Sequence, residues 1–242
     1  MADPRIGIID KRLEKVKRVI AVSSGKGGVG KSLIASTLAL TLSQKNRSVG
    51  LFDVDFTSPS THIILGIQNV KPKEEKGLIP ADAHGIKYVS IINYSGEEAL
   101  PLRGADVSNA LIELFAITRW ETLDFLIMDM PPGISDATLD MIRFVKKIEF
   151  LVVSTPSQLA FETVKKLLKL LLELKVPLVG VVENMKMKES NFVKTHVEAL
   201  DVPFLGEIPF DPKVEEAFGN ANALVNTVFA KRLTDIALKV FP

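Results

Sequence analysis

The 242-residue sequence contains 47 % hydrophobic and 24 % charged residues and carries a formal net charge of +1, a balance typical of globular proteins and not of disordered chains. The near-zero charge argues against nucleic acid as a major partner, and the apolar runs fall well short of the roughly 20 residues that a membrane-spanning helix needs. No cysteine is present, which excludes disulfides, thiolate nucleophiles and cysteine-ligated metal centres within these residues. The first ten residues lack the pattern of a secretory signal, so we expect a cytoplasmic protein.

Apolar runs rich in β-formers alternate with helical patterns along the chain. Apolar residues at helical spacing from Ile6 to Val16 predict an amphipathic segment over residues 1–16, and we interpret residues 17–242 as a single domain. Residues 68–85, rich in lysine, glutamate and proline, predict an exposed excursion from the sheet. The predicted strands are 19–23, 49–53, 87–92, 125–129, 150–154 and 178–183, and the predicted helices are 31–44, 107–118, 137–145 and 159–174. This alternation predicts an α/β fold with a doubly wound, mostly parallel sheet and helices on both faces, with ligands beyond the carboxyl ends of the strands.

The segment VSSGKGGVGKSL, residues 22–33, carries the most specific motif. Gly25, Gly30, Lys31 and Ser32 fit the pattern G-x-x-x-x-G-K-S/T between a predicted strand and a predicted helix, which is the context that a phosphate-binding loop requires. Glycines let backbone N–H groups turn toward phosphate oxygens, and the helix N-terminus adds its positive end. We predict that Lys31 contacts the β- and γ-phosphates as a catalytic residue and that Ser32 offers its hydroxyl to Mg²⁺. A glycine-rich structural turn is the alternative.

Lys26 is a second lysine in this loop, and the reading K-G-G-x-G-K-S resembles the Mrp/MinD branch of the deviant P-loop ATPases. The resemblance implies a MinD-like P-loop NTPase fold of the SIMIBI class, ATP or ADP with Mg²⁺ as cofactors, and a homodimer that forms on ATP binding. In such a dimer Lys26 reaches the phosphates of the opposite subunit as a catalytic residue; a solvent-facing lysine is the alternative. Leu33 stands where the family usually has threonine. The nucleotide-binding residues of the loop are then Gly25, Lys26, Gly27, Gly28, Val29, Gly30, Lys31, Ser32 and Leu33.

Two acidic motifs follow predicted strands. In DVDFTSPS, Asp53 and Asp55 end a strand beside the phosphate loop, where carboxylates are placed to hold hydrated Mg²⁺ and to orient water. By the family resemblance, Asp55 activates the attacking water as a catalytic residue and Asp53 contacts Mg²⁺ through water, although Ser58 replaces the family glycine. In DFLIMDMPPG, Asp129 fits the Walker B position that supports Mg²⁺. A turn-capping role is the alternative for Asp53 and Asp55.

Three further assignments rest on the resemblance. Asn184, in VVENM, is expected to hydrogen-bond the adenine, since an amide offers both a donor and an acceptor to a purine edge. Pro209 and Asp211, in IPFDP, are expected to lie in the loop against the base. Arg103, in LRG, matches a family W-R-G segment and is expected to serve the dimer or a partner.

The predicted biological task depends on which subgroup of this family the sequence resembles. Family members that carry iron–sulfur clusters have a C-x-x-C soon after the E-N-M segment, so the lack of cysteine disfavours a cluster carrier. A MinD- or ParA-like positioning ATPase is a further alternative, but the tail FAKRLTDIALKVFP has few basic residues for a membrane anchor and reads better as a packed helix. We therefore expect neither stable membrane association nor nucleic-acid binding.

The opening segment DPRIGIIDKRLEKVKRVIAVSSGKGGVGKS and the lack of cysteine resemble the archaeal Mrp/MinD-type HypB subgroup. That resemblance implies a dimeric ATPase switch that acts as a metallochaperone partner and delivers nickel with HypA in nickel–iron hydrogenase maturation. His62, His84 and His196 form no metal-binding motif, so nickel is expected to be held mainly by the partner.

Overall fold

The computed structural model describes residues 3–68, 70–95 and 105–241. The strands are β1 (Val16–Ser24), β2 (Val49–Asp53), β3 (Lys73–Glu74), β4 (Leu78–Ile79), β5 (Ala81–Ala83), β6 (Ile86–Ser90), β7 (Leu123–Asp129), β8 (Ile148–Ser154), β9 (Leu178–Lys186) and β10 (Phe204–Pro209). The helices are α1 (Arg5–Leu13), α2 (Lys31–Gln44), α3 (Thr61–Leu65), α4 (Ile92–Ser95), α5 (Ala105–Ile117), α6 (Asp136–Phe144), α7 (Gln158–Glu173), α8 (Phe192–Glu198), α9 (Lys213–Glu216), α10 (Ala221–Val225) and α11 (Val228–Val240).

An eight-stranded sheet forms the centre of the fold, in the order β10-β9-β8-β1-β7-β2-β6-β5. All neighbouring strands pair parallel except β5, which pairs antiparallel with β6. The predicted doubly wound, mostly parallel sheet is therefore confirmed. Its central strands are buried on both faces, which is why they read as continuous apolar runs and not as alternating ones. The predicted strands and helices are all present, with ends shifted by up to about three residues.

Helices cover both faces of the sheet. One apolar cluster lies between the sheet and α1, α5, α6, α7 and α8, and it includes Phe115, Phe150 and Phe161. The other lies between the sheet and α2, α3, α10 and α11, and it includes Leu38 and Leu51. Because the strands are parallel, their carboxyl ends meet at one edge of the sheet, where a doubly wound fold binds its ligand.

The ends of the chain pack as helices. The predicted N-terminal amphipathic helix forms as α1, which buries Ile9 and Leu13, but it stops before Val16, which opens β1. The tail forms α11, whose buried face includes Phe229 and Leu233 and packs against α2, as predicted. Among the helices of the described residues, none is both long and apolar enough to cross a membrane.

The prediction of an exposed excursion over residues 68–85 is wrong for its second half. Strand β3 is exposed, but β4 buries Leu78, and β5 joins the edge of the main sheet with Ala81 and Ala83 buried and Asp82 exposed. A three-residue strand with two small apolar side chains is too short to show a clear alternation. Strand β10 was not predicted either, because most of its residues are only half-buried and its glycine and proline resemble loop residues.

Candidate nucleotide-binding site

The phosphate loop connects β1 to α2 over residues 25–30. Gly28 and Gly30 have φ angles of 77° and 84°, in the left-handed region that favours glycine. Gly30 is also the N-cap of α2 and contributes no side-chain cap, so the first turn of α2 keeps backbone N–H groups available for an anion. A side chain at Gly25 would place its Cβ 2.4 Å from the backbone nitrogen of Val164, which shows how closely α7 packs against the loop.

Lys31 lies inside the site and pairs with the Walker B aspartate. Its Nζ lies 2.5 Å from Asp129 Oδ1 and 3.1 Å from Ser32 Oγ, and the Lys31 and Asp129 side chains are 7 % and 0 % exposed. Burial raises the pKa of Asp129, and the neighbouring Lys31 cation works in the opposite direction. The second oxygen of Asp129, Oδ2, is buried and has no hydrogen-bond partner. A buried carboxylate oxygen left without a donor is what a cation beside it would satisfy.

Asp53 lies next to Asp129 at the same edge of the sheet. The register pairs Asp53 of β2 with Asp129 of β7 on one side and with Ser90 of β6 on the other. The Asp53 side chain accepts hydrogen bonds from Thr61 N–H (3.2 Å), Thr61 Oγ1 (2.7 Å) and Asp55 N–H (3.2 Å). Complete burial, followed by repulsion from Asp129, raises the pKa of Asp53 to about 7.

These oxygen donors fit Mg²⁺. The site brings together the buried Asp53 and Asp129 carboxylates and the Ser32 hydroxyl, with one carboxylate oxygen unpartnered. Mg²⁺ usually binds through one or two carboxylates, substrate phosphates and retained waters, without an all-protein cage. In keeping with that, the described part of the chain contains no group of three or more His, Cys, Asp or Glu side chains placed to hold a metal on their own.

Asp55 lies in the loop that follows β2. Its Oδ1 accepts hydrogen bonds from Thr57 Oγ1 (2.8 Å) and Ser58 N–H (3.1 Å), and the residue is 6 % exposed. The side chain therefore caps a turn in this structure, beside Asp53 and the phosphate loop. Whether it also activates water stays a prediction.

Lys26 differs from Lys31 in its placement. Lys26 is exposed together with Gly27 and Gly28, whereas Val29 is buried and anchors the loop in the core. The Lys26 carbonyl accepts a hydrogen bond from Ser24 Oγ (2.9 Å), which fixes the backbone at this point. The two lysines of the motif thus face different surroundings, one inside the site and the other toward solvent.

Asn184 reaches the phosphate loop from the carboxyl end of β9. Its Nδ2 donates to the Val29 carbonyl at 3.0 Å, and the residue is 2 % exposed. Leu33 is half-buried and packs against the cluster beneath α2. The structure therefore places Asn184 beside the predicted loop, while its proposed contact with adenine stays a prediction.

Pro209 and Asp211 lie where β10 ends. Pro209 is exposed. Asp211 accepts hydrogen bonds from the N–H groups of Lys213 (3.1 Å) and Phe229 (3.2 Å), so it ties the starts of α9 and α11 to this loop. Arg103 lies outside the described residues.

Sequence reasoning missed Thr61 and Tyr88. Thr61 Oγ1 lies 2.9 Å from the Tyr88 hydroxyl and 2.7 Å from Asp53 Oδ2, and both side chains are buried. Thr61 lies eight residues after Asp53, and Tyr88 lies on a different strand. A lone threonine and a lone tyrosine in apolar surroundings carry no motif, so only the strand order reveals their contact with the site.

Comparison with known proteins identifies the family. The family model described as "ParA: NUBPL iron-transfer P-loop NTPase" matches residues 15–241. The chain is 37 % identical over 231 residues to the iron-sulfur cluster carrier protein of Aquifex aeolicus (strain VF5), which covers 89 % of this chain and 64 % of that protein. It is 32 % identical over 234 residues to the cytosolic Fe-S cluster assembly factor Nubp2 homolog of Anopheles gambiae, which covers 88 % of this chain and 90 % of that protein. The chain thus spans just under two thirds of the Aquifex relative's length.

Solved structures share the fold. A nucleotide-binding protein from Archaeoglobus fulgidus in complex with ADP has a TM-score of 0.75 and 28 % identity, with 91 % of this chain and 92 % of that one covered. The septum site-determining protein MinD from Pyrococcus horikoshii OT3, complexed with Mg-ADP, has a TM-score of 0.70 and 20 % identity, with 93 % and 96 % covered. The second likeness shows the fold alone. The predicted nucleotide agrees with the ADP that the Archaeoglobus protein binds.

The predicted HypB subgroup, with nickel delivery through HypA, is wrong. The relatives are named for iron–sulfur cluster carriage and assembly, and the matching family model is named for iron transfer. The opening segment overlaps the phosphate loop, which indicates nucleotide binding and not a particular partner. The lack of one residue type gives no positive information about a partner. The family-level prediction is confirmed: the chain belongs to the NUBPL-type iron-transfer P-loop NTPases of the Mrp/MinD group.

Proposed function

We propose that this chain is an Mg²⁺-dependent ATPase whose nucleotide cycle serves iron–sulfur cluster assembly. The ATPase assignment rests on the buried Lys31–Asp129 ion pair, which lies next to the phosphate loop and the uncapped N-terminus of α2. Asp53 lies beside Asp129 in the register of the sheet. Support for the iron–sulfur part comes from the named activities of relatives at 37 % and 32 % identity. Residues 17–242 act as one ATPase domain, with the N-terminal segment docked on it. The cytoplasmic location stays a prediction.

The residues have distinct roles in this proposal. Ser32, Asp53 and Asp129 would hold Mg²⁺, which would supply positive charge against the nucleotide phosphates. Lys31 would contact the β- and γ-phosphates. Asp55 orients the attacking water from its turn beside the loop. Asn184, Pro209 and Asp211 shape the base side of the site, and Asn184 contacts the adenine.

Lys26 completes the site of a second copy. It is exposed beside the phosphate loop, so its ammonium is free of the packing that holds Lys31. A cation brought to the γ-phosphate by a partner subunit stabilises the charge that develops as the bond breaks, which is worth on the order of 10³ to 10⁵ in rate for comparable cationic residues. We therefore propose a homodimer that forms on ATP binding.

The cluster is cargo in this scheme. Thiolates are the usual ligands of iron–sulfur clusters, and these 242 residues contain none. Thiolate ligands must therefore come from outside these 242 residues, and we propose that a partner protein that holds the cluster supplies them. ATP can change how the dimer acts on such a partner only if ATP binds two conformations of the dimer with different affinity. The chain then acts as a nucleotide-dependent switch on the cluster-holding protein.

Two assays test the proposal. Phosphate release from Mg²⁺–ATP is expected for the wild-type chain and is expected to fall at least about 1000-fold in Lys26→Ala, with ADP affinity unchanged. Lys45→Ala, which changes an exposed lysine at the far end of α2, is the matched control and should hydrolyse ATP normally. Absence of phosphate release in the wild type would overturn the ATPase assignment.

The second assay follows 4Fe–4S transfer from a loaded donor protein to an apo-ferredoxin under anaerobic conditions. The chain is expected to accelerate transfer only when ATP and Mg²⁺ are present. If ATP is hydrolysed but the transfer rate does not change, the iron–sulfur role is wrong and the ATPase assignment stands.

A further inference from the structure

A chain of buried hydroxyl groups ends on the Asp53 carboxylate. Thr61 Oγ1 donates to Asp53 Oδ2 at 2.7 Å, and Thr61 Oγ1 and the Tyr88 hydroxyl lie 2.9 Å apart. Thr61 and Tyr88 are fully buried. These hydrogen bonds connect Thr61 on α3 to Tyr88 on β6, so they join α3, which follows the loop after Asp53, to the sheet.

The direction of these hydrogen bonds follows from counting protons when Asp53 is ionised, as a carboxylate that holds Mg²⁺ must be. A threonine hydroxyl has one proton, and an ionised Asp53 only accepts, so Thr61 donates to Asp53. Thr61 Oγ1 must then accept from the Tyr88 hydroxyl. Each hydroxyl thus donates its proton toward Asp53, and because the groups are buried, each hydrogen bond polarises and strengthens the next.

The orientation of the Asp53 carboxylate depends on these hydroxyl groups. Its Oδ2 receives both the N–H and the hydroxyl of Thr61, whereas Oδ1 receives the Asp55 N–H. Thr61 opens α3, a five-residue helix that contributes little rigidity by itself. Tyr88 lies in the middle of β6, which is paired along its length with β2. The strand therefore holds Thr61 in place through the tyrosine hydroxyl, and Thr61 holds the carboxylate.

We propose that Thr61 and Tyr88 are positioning residues that fix the Asp53 carboxylate for the Mg²⁺–nucleotide complex, with Tyr88 acting only through Thr61. The proposal rests on the Mg²⁺-dependent nucleotide binding proposed above. Because Tyr88 acts only through Thr61, the tyrosine hydroxyl has no effect on the metal site once the threonine hydroxyl is removed.

The test is the Mg²⁺ dependence of ADP binding, measured by isothermal titration with and without Mg²⁺. In Thr61→Val, the factor by which Mg²⁺ tightens ADP binding is expected to fall about tenfold, the size of one lost hydrogen bond to a charged group. Tyr88→Phe is expected to lower that factor about threefold, because it removes a neutral bond one step away. Thr61→Ser keeps the hydroxyl and is expected to retain the wild-type factor. ADP binding without Mg²⁺ is expected to be unchanged in all three variants.

The double variant Thr61→Val/Tyr88→Phe decides the order of action, and its Mg²⁺ factor is expected to equal that of Thr61→Val alone. Thr41→Val is the matched control, since Thr41 and Thr234 form another hydroxyl pair (3.2 Å) at a buried threonine on α2. Thermal unfolding of each variant without nucleotide shows whether it is folded.

The outcomes separate this inference from the proposed function. If the wild type binds ADP without any Mg²⁺ effect, the proposed function fails and the inference fails with it. If the wild type shows the effect and Thr61→Val retains it, the inference alone is overturned, even if the variant is less stable. If the two substitutions reduce the factor additively, Tyr88 does not act through Thr61 and the proposed order is wrong.

Discussion

Replacing Gly30 by alanine places a methyl group where the Asn184 amide already lies. An ideal Cβ at Gly30 would be 2.3 Å from Asn184 Nδ2, and Gly30 has a φ of +84°. Gly28 has nearly the same backbone conformation, with a φ of +77°, but a Cβ there would meet no atom within 4 Å. The two glycines therefore share the conformational strain and differ in the steric clash.

The cost of each substitution follows from these contacts. Alanine in the left-handed region costs about 1 to 2 kcal/mol, which both variants bear. In Gly30→Ala, Asn184 must also move and give up its 3.0 Å hydrogen bond to the buried Val29 carbonyl, at a further cost of about 1 to 3 kcal/mol. We expect Gly28→Ala to lower the free energy of unfolding by about 1 to 2 kcal/mol and Gly30→Ala by about 2 to 5 kcal/mol.

Equilibrium urea unfolding of the nucleotide-free protein measures both values. Repeating the pair in an Asn184→Ala background isolates the contact, because without the amide the two substitutions should cost the same within about 0.5 kcal/mol. Equal losses for Gly28→Ala and Gly30→Ala in the wild-type background would refute the close approach of Asn184 to the loop. They would also remove the structural basis for assigning Asn184 to the nucleotide site.

Three further predictions concern the buried charges and a cap. Lys31→Ala leaves Asp129 buried without its cation, so the free energy of unfolding of the metal-free protein at pH 7 should fall by about 3 to 5 kcal/mol in urea titrations; an unchanged value would contradict the ion pair. Folded Asp53 has its pKa raised from 3.8 to about 7, so it retains a proton that the unfolded chain loses at lower pH. Relative to Asp53→Asn, the metal-free wild type should therefore lose up to about 3 kcal/mol of stability as pH rises from 5 to 7, and parallel stability profiles would contradict the shift. Asp211→Ala removes an acceptor from the N–H groups at the starts of α9 and α11 and should cost about 1 to 2 kcal/mol in the same assay, whereas Asp235→Ala, at an exposed position on α11, should cost less than about 0.5 kcal/mol.

The wrong prediction of HypA as partner shows what a nucleotide-binding motif can and cannot indicate. The glycine loop and the Walker B strand predicted a MinD-like P-loop NTPase, and the family model and the structural neighbours confirm it. A phosphate loop and its acidic residues determine how a nucleotide is bound, so they could not separate nickel delivery from iron–sulfur assembly. The lack of cysteine excludes thiolate ligands within these residues, but it does not favour one subgroup over another.

The phosphate loop, the buried strands and the carboxylates that end them could be predicted from local sequence, because each depends on residues a few positions apart whose chemistry and periodicity are visible there. The contact of Asn184 with Val29, 155 residues away, and that of Tyr88 with Thr61, 27 residues away, could not be predicted, because they depend on how the strands are arranged. Only the tertiary structure places Asp53 between Asp129 and Ser90, since β2 enters the sheet between β7 and β6. Strand order follows from how whole helices and strands bury their apolar faces together, and no local pattern specifies it.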